Sequence, residues 1–141
     1  MIDISSKVFD TVYTAVTTVD PTVDVMDVPP ELFAKYPAVV VREVGNVPVR
    51  ATNTDDCAEN YTRISYEINV YTDDKNGARS KATKIFQAFD AAMQGLKFAR
   101  TMTRRLPNQD RTIYRMYGRY EVIVSAPETV GNNTVYYMYR R

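Results

Sequence analysis

The chain is predicted to fold as an α+β domain, a mostly antiparallel sheet covered on one face by a helix, with an additional N-terminal helix. Three observations predict it. Apolar residues recur at helical spacing in two stretches, residues 3–19 and 78–94. Residues 61–71 alternate apolar and polar at period two, as a half-buried strand does. Three further β-rich runs follow the second helical stretch with turns between them, which suits antiparallel neighbours.

The first helix rests on Ile4, Val8, Val12, Ala15 or Val16, and Val19, which recur at three- and four-residue steps. Such steps bring side chains to one helix face. Asp3 stands where its carboxylate can accept backbone N–H bonds of the first turn. Asp20 precedes Pro21, and a residue before proline avoids the helical region, so the helix ends there. Residues 21–37 hold four of the seven prolines: Pro21, Pro29, Pro30 and Pro37. They read as a connection with a short helical turn at 31–36. The run AVVVREV, residues 38–44, is apolar and β-branched and reads as a strand. Residues 45–60 (GNVPVRATNTDDCAEN) are polar and aperiodic. They are long for a connection in a compact domain, which marks a mobile or contact-making loop.

In residues 61–71, Ile64, Tyr66, Ile68 and Val70 point one way, and Arg63, Ser65, Glu67 and Asn69 the other. TDDKNG then supplies turn chemistry. The second helix carries the stripe Ala78, Ala82, Ile85, Phe89, and Ala92 or Met93, with Leu96 just past its end. Gly95 suits the left-handed position after a helix. Residues 98–106 and 112–125 read as strands joined by the hairpin-like LPNQDR. Pro127 and Gly131-Asn132-Asn133 make the next turn, and 134–139 the last strand.

A chain of 141 residues is the size of one domain, spanning 1–141. At that length it buries roughly 65–70% of its unfolded surface and needs no staples. With 45% hydrophobic and 25% charged residues it is globular rather than disordered. Cys57 stands alone, which excludes an internal disulfide and fits a reducing compartment. The opening MIDISSKVFD has no basic or long apolar run, so it does not read as a signal peptide. No stretch reaches the roughly 18–20 apolar residues of a membrane span, so a soluble protein without a membrane partner is expected.

The absence of histidine removes the usual general base and the commonest metal ligand. It also removes Ser-His and Cys-His nucleophile pairs. One cysteine excludes a cysteine-based zinc site. Asp55-Asp56 and Asp73-Asp74 pair carboxylates, but in predicted turns, where Asp bonds the local backbone. TDDKNG lacks the ligand spacing and closing glutamate of a calcium loop. The five glycines are isolated and form no phosphate loop. No enzyme, metal or cofactor is expected. A carboxylate-dependent enzyme would need a pocket holding two carboxylates with split pKa values.

Charge is uneven. Residues 1–96 carry nine Lys+Arg against fourteen Asp+Glu, and residues 97–141 nine against three. Opposite patches on one molecule can attract a second copy head to tail, and head-to-tail contacts that close make rings. Arg100 and Arg104 fall on one face of their strand, and Arg115 and Arg119 on one face of the next. Opposed in a hairpin they would form a basic stripe, fit either for phosphate contact or for pairing with acids such as Glu67 or Glu121. Eleven tyrosines stand beside no tryptophan. Tyr114, Tyr117, Tyr120, Tyr136, Tyr137 and Tyr139 crowd the last two strands on both faces. Tyrosine and arginine are enriched at protein interfaces, so these six are candidate subunit contacts. Stacking on single-stranded nucleic acid is the rival.

The order of elements, with YTRISYEINVYTDDKNGARSKATKIFQAFDAAMQGLKFARTMT and the closing YRMYGRYEVIVS, resembles the tail terminator (tail completion) proteins of long-tailed bacteriophages. The likeness covers nearly the whole chain and rests on element order and texture. Minor structural proteins of the head–tail joint look similar at this level. The resemblance implies a subunit of a hexameric ring at the head–tail junction, assembled in the host cytoplasm. Such a ring caps the tail tube protein, halts its polymerisation and docks to the head–tail connector proteins. DNA then passes through the lumen without specific binding. Arg100, Arg104, Arg115 and Arg119 are the candidate lumen or nucleic-acid-facing residues.

Overall fold

A computed structural model describes residues 1–49, 60–73, 77–106 and 112–139, with the side chains of Thr129, Thr134 and Tyr139 excepted. The centre of the predicted 45–60 loop, with Asp55, Asp56 and Cys57, lies outside the described residues, as do Asp74 and most of LPNQDR. In chain order the elements are α1 (Ser5–Val19), β1 (Asp24–Met26), β2 (Ala38–Pro48), β3 (Tyr61–Thr72) and α2 (Ala78–Gly95). There follow β4 (Ala99–Leu106), β5 (Tyr114–Ser125), β6 (Glu128–Val130), β7 (Asn133–Val135) and β8 (Met138–Tyr139). The main sheet runs β1-β2-β3-β5-β4, with β8 beside β5, and β6 and β7 form a separate ribbon. Every pairing in the main sheet is antiparallel except β1 with β2. The fold is thus the α+β arrangement expected.

Both helices pack on the same face. The stripe Val8, Val12 and Val16 of α1 is fully buried, as are Ala82 and Phe89 of α2. They meet Ile64, Tyr66, Ile68 and Val70 of β3 and Tyr120, Val122 and Val124 of β5 in one core. Burying one such aliphatic side chain contributes about 1.5–3 kcal/mol, so this shared layer sets the register of the sheet. The ladder agrees: Ile64 lies opposite Val122, Tyr66 opposite Tyr120, and Val70 opposite Met116. The opposite face, called the outer face below, carries the alternate residues and, among the described residues, no helix.

Several expectations need correction. The 21–37 connection contains β1 and no helical turn at 31–36. Instead the Phe33 ring packs against Tyr71, tilted by 38° with centroids 4.5 Å apart, which brings this segment to the outer face. Strand β2 runs four residues past Val44, because residues 45–48 continue the ladder to Thr62 after a bulge between Glu43 and Gly45. Asp3 does bond the first turn, accepting from Ser5 N–H at 2.9 Å, and the Ser5 side chain together with this backbone bond holds its carboxyl below the ordinary range. Val19 is exposed rather than part of the stripe. Gly95 stays in α2, and the left-handed residue is Lys97 at φ 70°. The last predicted strand is two short ones, β7 and β8, split by Tyr136 and Tyr137. Among the described residues no helix is long and apolar enough to cross a membrane.

Candidate interaction surfaces

The arginines do not act as one stripe. Strand β4 pairs with β5 through a register shift between Arg100 and Met102. A bulge adds a residue to one strand and so reverses the facing of everything before it. Arg100 therefore pairs with Tyr120 on the helix-covered face, where its Nη1 lies 3.1 Å from Asp90 Oδ1. Arg104 pairs with Tyr117 and faces outward with Arg115 and Arg119. The expected grouping of four loses Arg100. It gains Arg42 and Arg63, which the register places on the outer face opposite Glu67 and Val47. The alternation of β3 already set Arg63 beside Glu67, so that signal was present in the sequence.

Glu67 organises this outer face. Its Oε1 accepts the Tyr117 hydroxyl at 2.7 Å, and its Oε2 lies 3.4 Å from Arg42 Nη2. Arg119 sits directly across from it in the ladder. Burial, with the hydrogen bond that its hydroxyl donates to the Glu67 carboxylate, pushes the Tyr117 phenol up to about 12. Further along, Arg115 Nε donates to Asn69 Oδ1 at 3.0 Å, and its guanidinium lies 5.4 Å from the Tyr71 ring centroid. Arg63 Nε and Arg119 Nε are buried without an acceptor among the described residues. Polar groups in that condition usually have a partner.

The six tyrosines divide. Tyr120 is fully buried and its hydroxyl donates to Asp90 Oδ1 at 2.8 Å, so it is a core residue and cannot serve as a subunit contact. Tyr114 is half-buried on the helix side, its hydroxyl buried without a partner among the described residues. Tyr117 is half-buried on the outer face, and Tyr136 packs against the core. Tyr137 is 41% exposed; its carbonyl accepts from Ser125 N–H at 2.8 Å and its N–H donates to Ser125 Oγ at 3.0 Å. The side chain of Tyr139 lies outside the described residues.

Sequence reasoning missed one feature, an acidic cleft of 460 Å³ between α1 and the start of the free β2 edge. Asp10, Asp27 and Glu43 line it, with Phe9 and Tyr66. Burial holds Glu43 above the ordinary carboxylate range, and burial pushes the Tyr66 phenol far up. The three carboxylates come from α1, the 27–37 connection and β2, so no local motif reveals them. Among the described residues no three His, Cys, Asp or Glu side chains group closely enough to hold a metal ion.

Neither a family model nor a curated protein matches this chain. A solved structure does share the fold: a chain from the virion of a native gene transfer agent particle. It superposes with a TM-score of 0.54 at 17% identity, over 88% of this chain and 100% of that one.

Proposed function

We propose that this chain is a structural subunit of a phage-like virion and, within it, a ring-forming tail terminator. The observation that carries this reading is the shared fold with a virion chain, which extends over all of that chain. The surface supports it. Among the described residues one sheet face has no helix, and it carries Arg63, Arg104, Arg119 and Tyr117, residue types enriched where proteins meet. The sheet also ends, among the described residues, in β1 and β4 without closing into a barrel. In this role about six copies would form a ring that caps the tail tube, stops its growth and joins the tail to the head connector. Another head–tail joint or minor tail protein is the alternative within the same class. In this reading the chain acts by assembly rather than by catalysis.

The test is to purify the protein alone and with tail tube protein, then measure mass by light scattering and image particles face-on. Closed rings are expected. A strict monomer, with no ring even when tube protein is present, would contradict the proposal. A nucleic-acid-binding module is disfavoured, because Arg100 turns away to Asp90 and Glu67 sits within the remaining arginines.

A further inference from the structure

We infer that the acidic cleft beside β2 is a socket for Arg105 of a second copy of this chain, presented by the free edge of β4. The inference rests on the ring reading above and names the two surfaces that join neighbours.

The sheet leaves two edges open among the described residues. β1 pairs with β2 only from Ala38 to Val40, so residues 41–48 have no outer neighbour. β4 ends the sheet on the other side. The free run 41–48 is as long as the eight residues of β4. Unpaired edge N–H and C=O groups are a template for a strand from another chain. The two edges differ, so the contact is head to tail, the kind that closes a ring.

Charge matches the two edges. Asp10, Asp27 and Glu43 line the cleft. Arg42 also borders it, but its guanidinium is 3.4 Å from Glu67 on the outer face. Tyr66 lines the same cleft, is 3% exposed, and has a buried hydroxyl with no partner among the described residues. The acids do not group closely enough for a metal ion. A wide, planar guanidinium, whose five N–H donors fan outward, suits spread carboxylates and a phenol oxygen better.

On β4, Arg104 faces the outer side and Arg100 is engaged by Asp90. Arg105 pairs with Met116, which sets it on the helix side, and it is exposed. It makes no ion pair among the described residues. When one sheet edge extends another, faces continue across the join. Arg105 then arrives on the side where Glu43 and Tyr66 sit, because Glu43 pairs with Tyr66 on the helix side of β2.

The test compares wild type with Asp10→Lys, Arg105→Glu and the double variant D10K/R105E by sedimentation at matched concentrations, with tail tube protein added where assembly needs it. Asp10 and Arg105 are both exposed, and circular dichroism checks that each variant is folded. Each single reversal is expected to raise the association midpoint about 10-fold or more, because like charges then meet, and the double variant is expected to recover assembly. If wild type assembles and the single variants assemble equally well, the socket is wrong and the ring reading stands. Loss in both singles without recovery in the double also overturns the socket. A wild type that never assembles overturns both.

Discussion

Tyr120, itself fully buried, donates its hydroxyl hydrogen to Asp90 Oδ1 at 2.8 Å in a part-buried contact that joins the centre of β5 to α2. The same oxygen receives Arg100 at 3.1 Å, so one carboxylate anchors helix, central strand and edge strand together. Burial and this carboxylate push the phenol well above its usual range. A hydrogen bond to a charged acceptor contributes about 1.5–3 kcal/mol. Tyr120→Phe is expected to lose about that much in urea unfolding, with little change in m. Tyr120→Ala is expected to cost about 3–5 kcal/mol through the cavity it leaves. A Tyr120→Phe variant as stable as wild type would show that the bond adds nothing.

Gly118 lies on the helix side of β5 opposite Ile68. A Cβ there would stand 3.0 Å from the Phe86 ring and 3.0 Å from Tyr120. Both rings are buried, so neither can swing away into solvent. Gly118→Ala is expected to destabilise by about 1–3 kcal/mol through overpacking. Adding Phe86→Leu should return part of that loss, a coupling a double-mutant cycle reads directly. Simple additivity of the two changes would contradict the crowding.

Alkaline pH should weaken the fold through Tyr117. In the folded chain its phenol keeps its proton up to about 12. The unfolded chain releases it near the usual value of about 10. Between those values the folded form binds more protons, so its extra stability is full below about pH 10 and is lost as pH rises through about 12. Tyr66 and Tyr120 shift in the same direction. Tyr117→Phe is expected to flatten part of the fall in unfolding free energy across that window. Glu67→Gln should bring the Tyr117 titration, followed by tyrosinate absorbance, back toward the usual value. An unchanged titration in that variant would show that Glu67 has no hold on the phenol.

Most of the architecture was legible because it follows from periodicity. The valine stripe of α1 and the alternation of β3 are local patterns, and each buries the face the pattern names. What escaped depends on contacts distant in sequence. β1 forms because Asp24–Met26 finds Ala38–Val40 as a parallel neighbour, which no pattern in three residues announces. The bulge between Arg100 and Met102 reverses Arg100, and Thr101 Oγ1 donating to the Arg119 carbonyl at 3.3 Å is visible only once β5 is in place. Interface enrichment of tyrosine makes Tyr120 a candidate subunit contact from sequence, and only the fold shows it buried. Its partner Asp90 lies 30 positions away on a helix. The acidic cleft was hidden for the same reason.

The remaining outer-face arginines are expected to give no measurable duplex DNA binding at about 50 mM salt, since a genuine phosphate track would bind there and weaken steeply with added salt. Glu67 sits among them and engages Arg42. Tight binding with a steep salt slope, abolished by Arg104→Ala with Arg119→Ala, would contradict this expectation.

Face-on electron microscopy of the purified protein, alone and mixed with tail tube protein, tests the central claim most directly. Closed rings of about six copies, seated at the end of assembled tubes, are the expected result. Particles that remain single copies in both samples, with tubes growing unchecked, would contradict it.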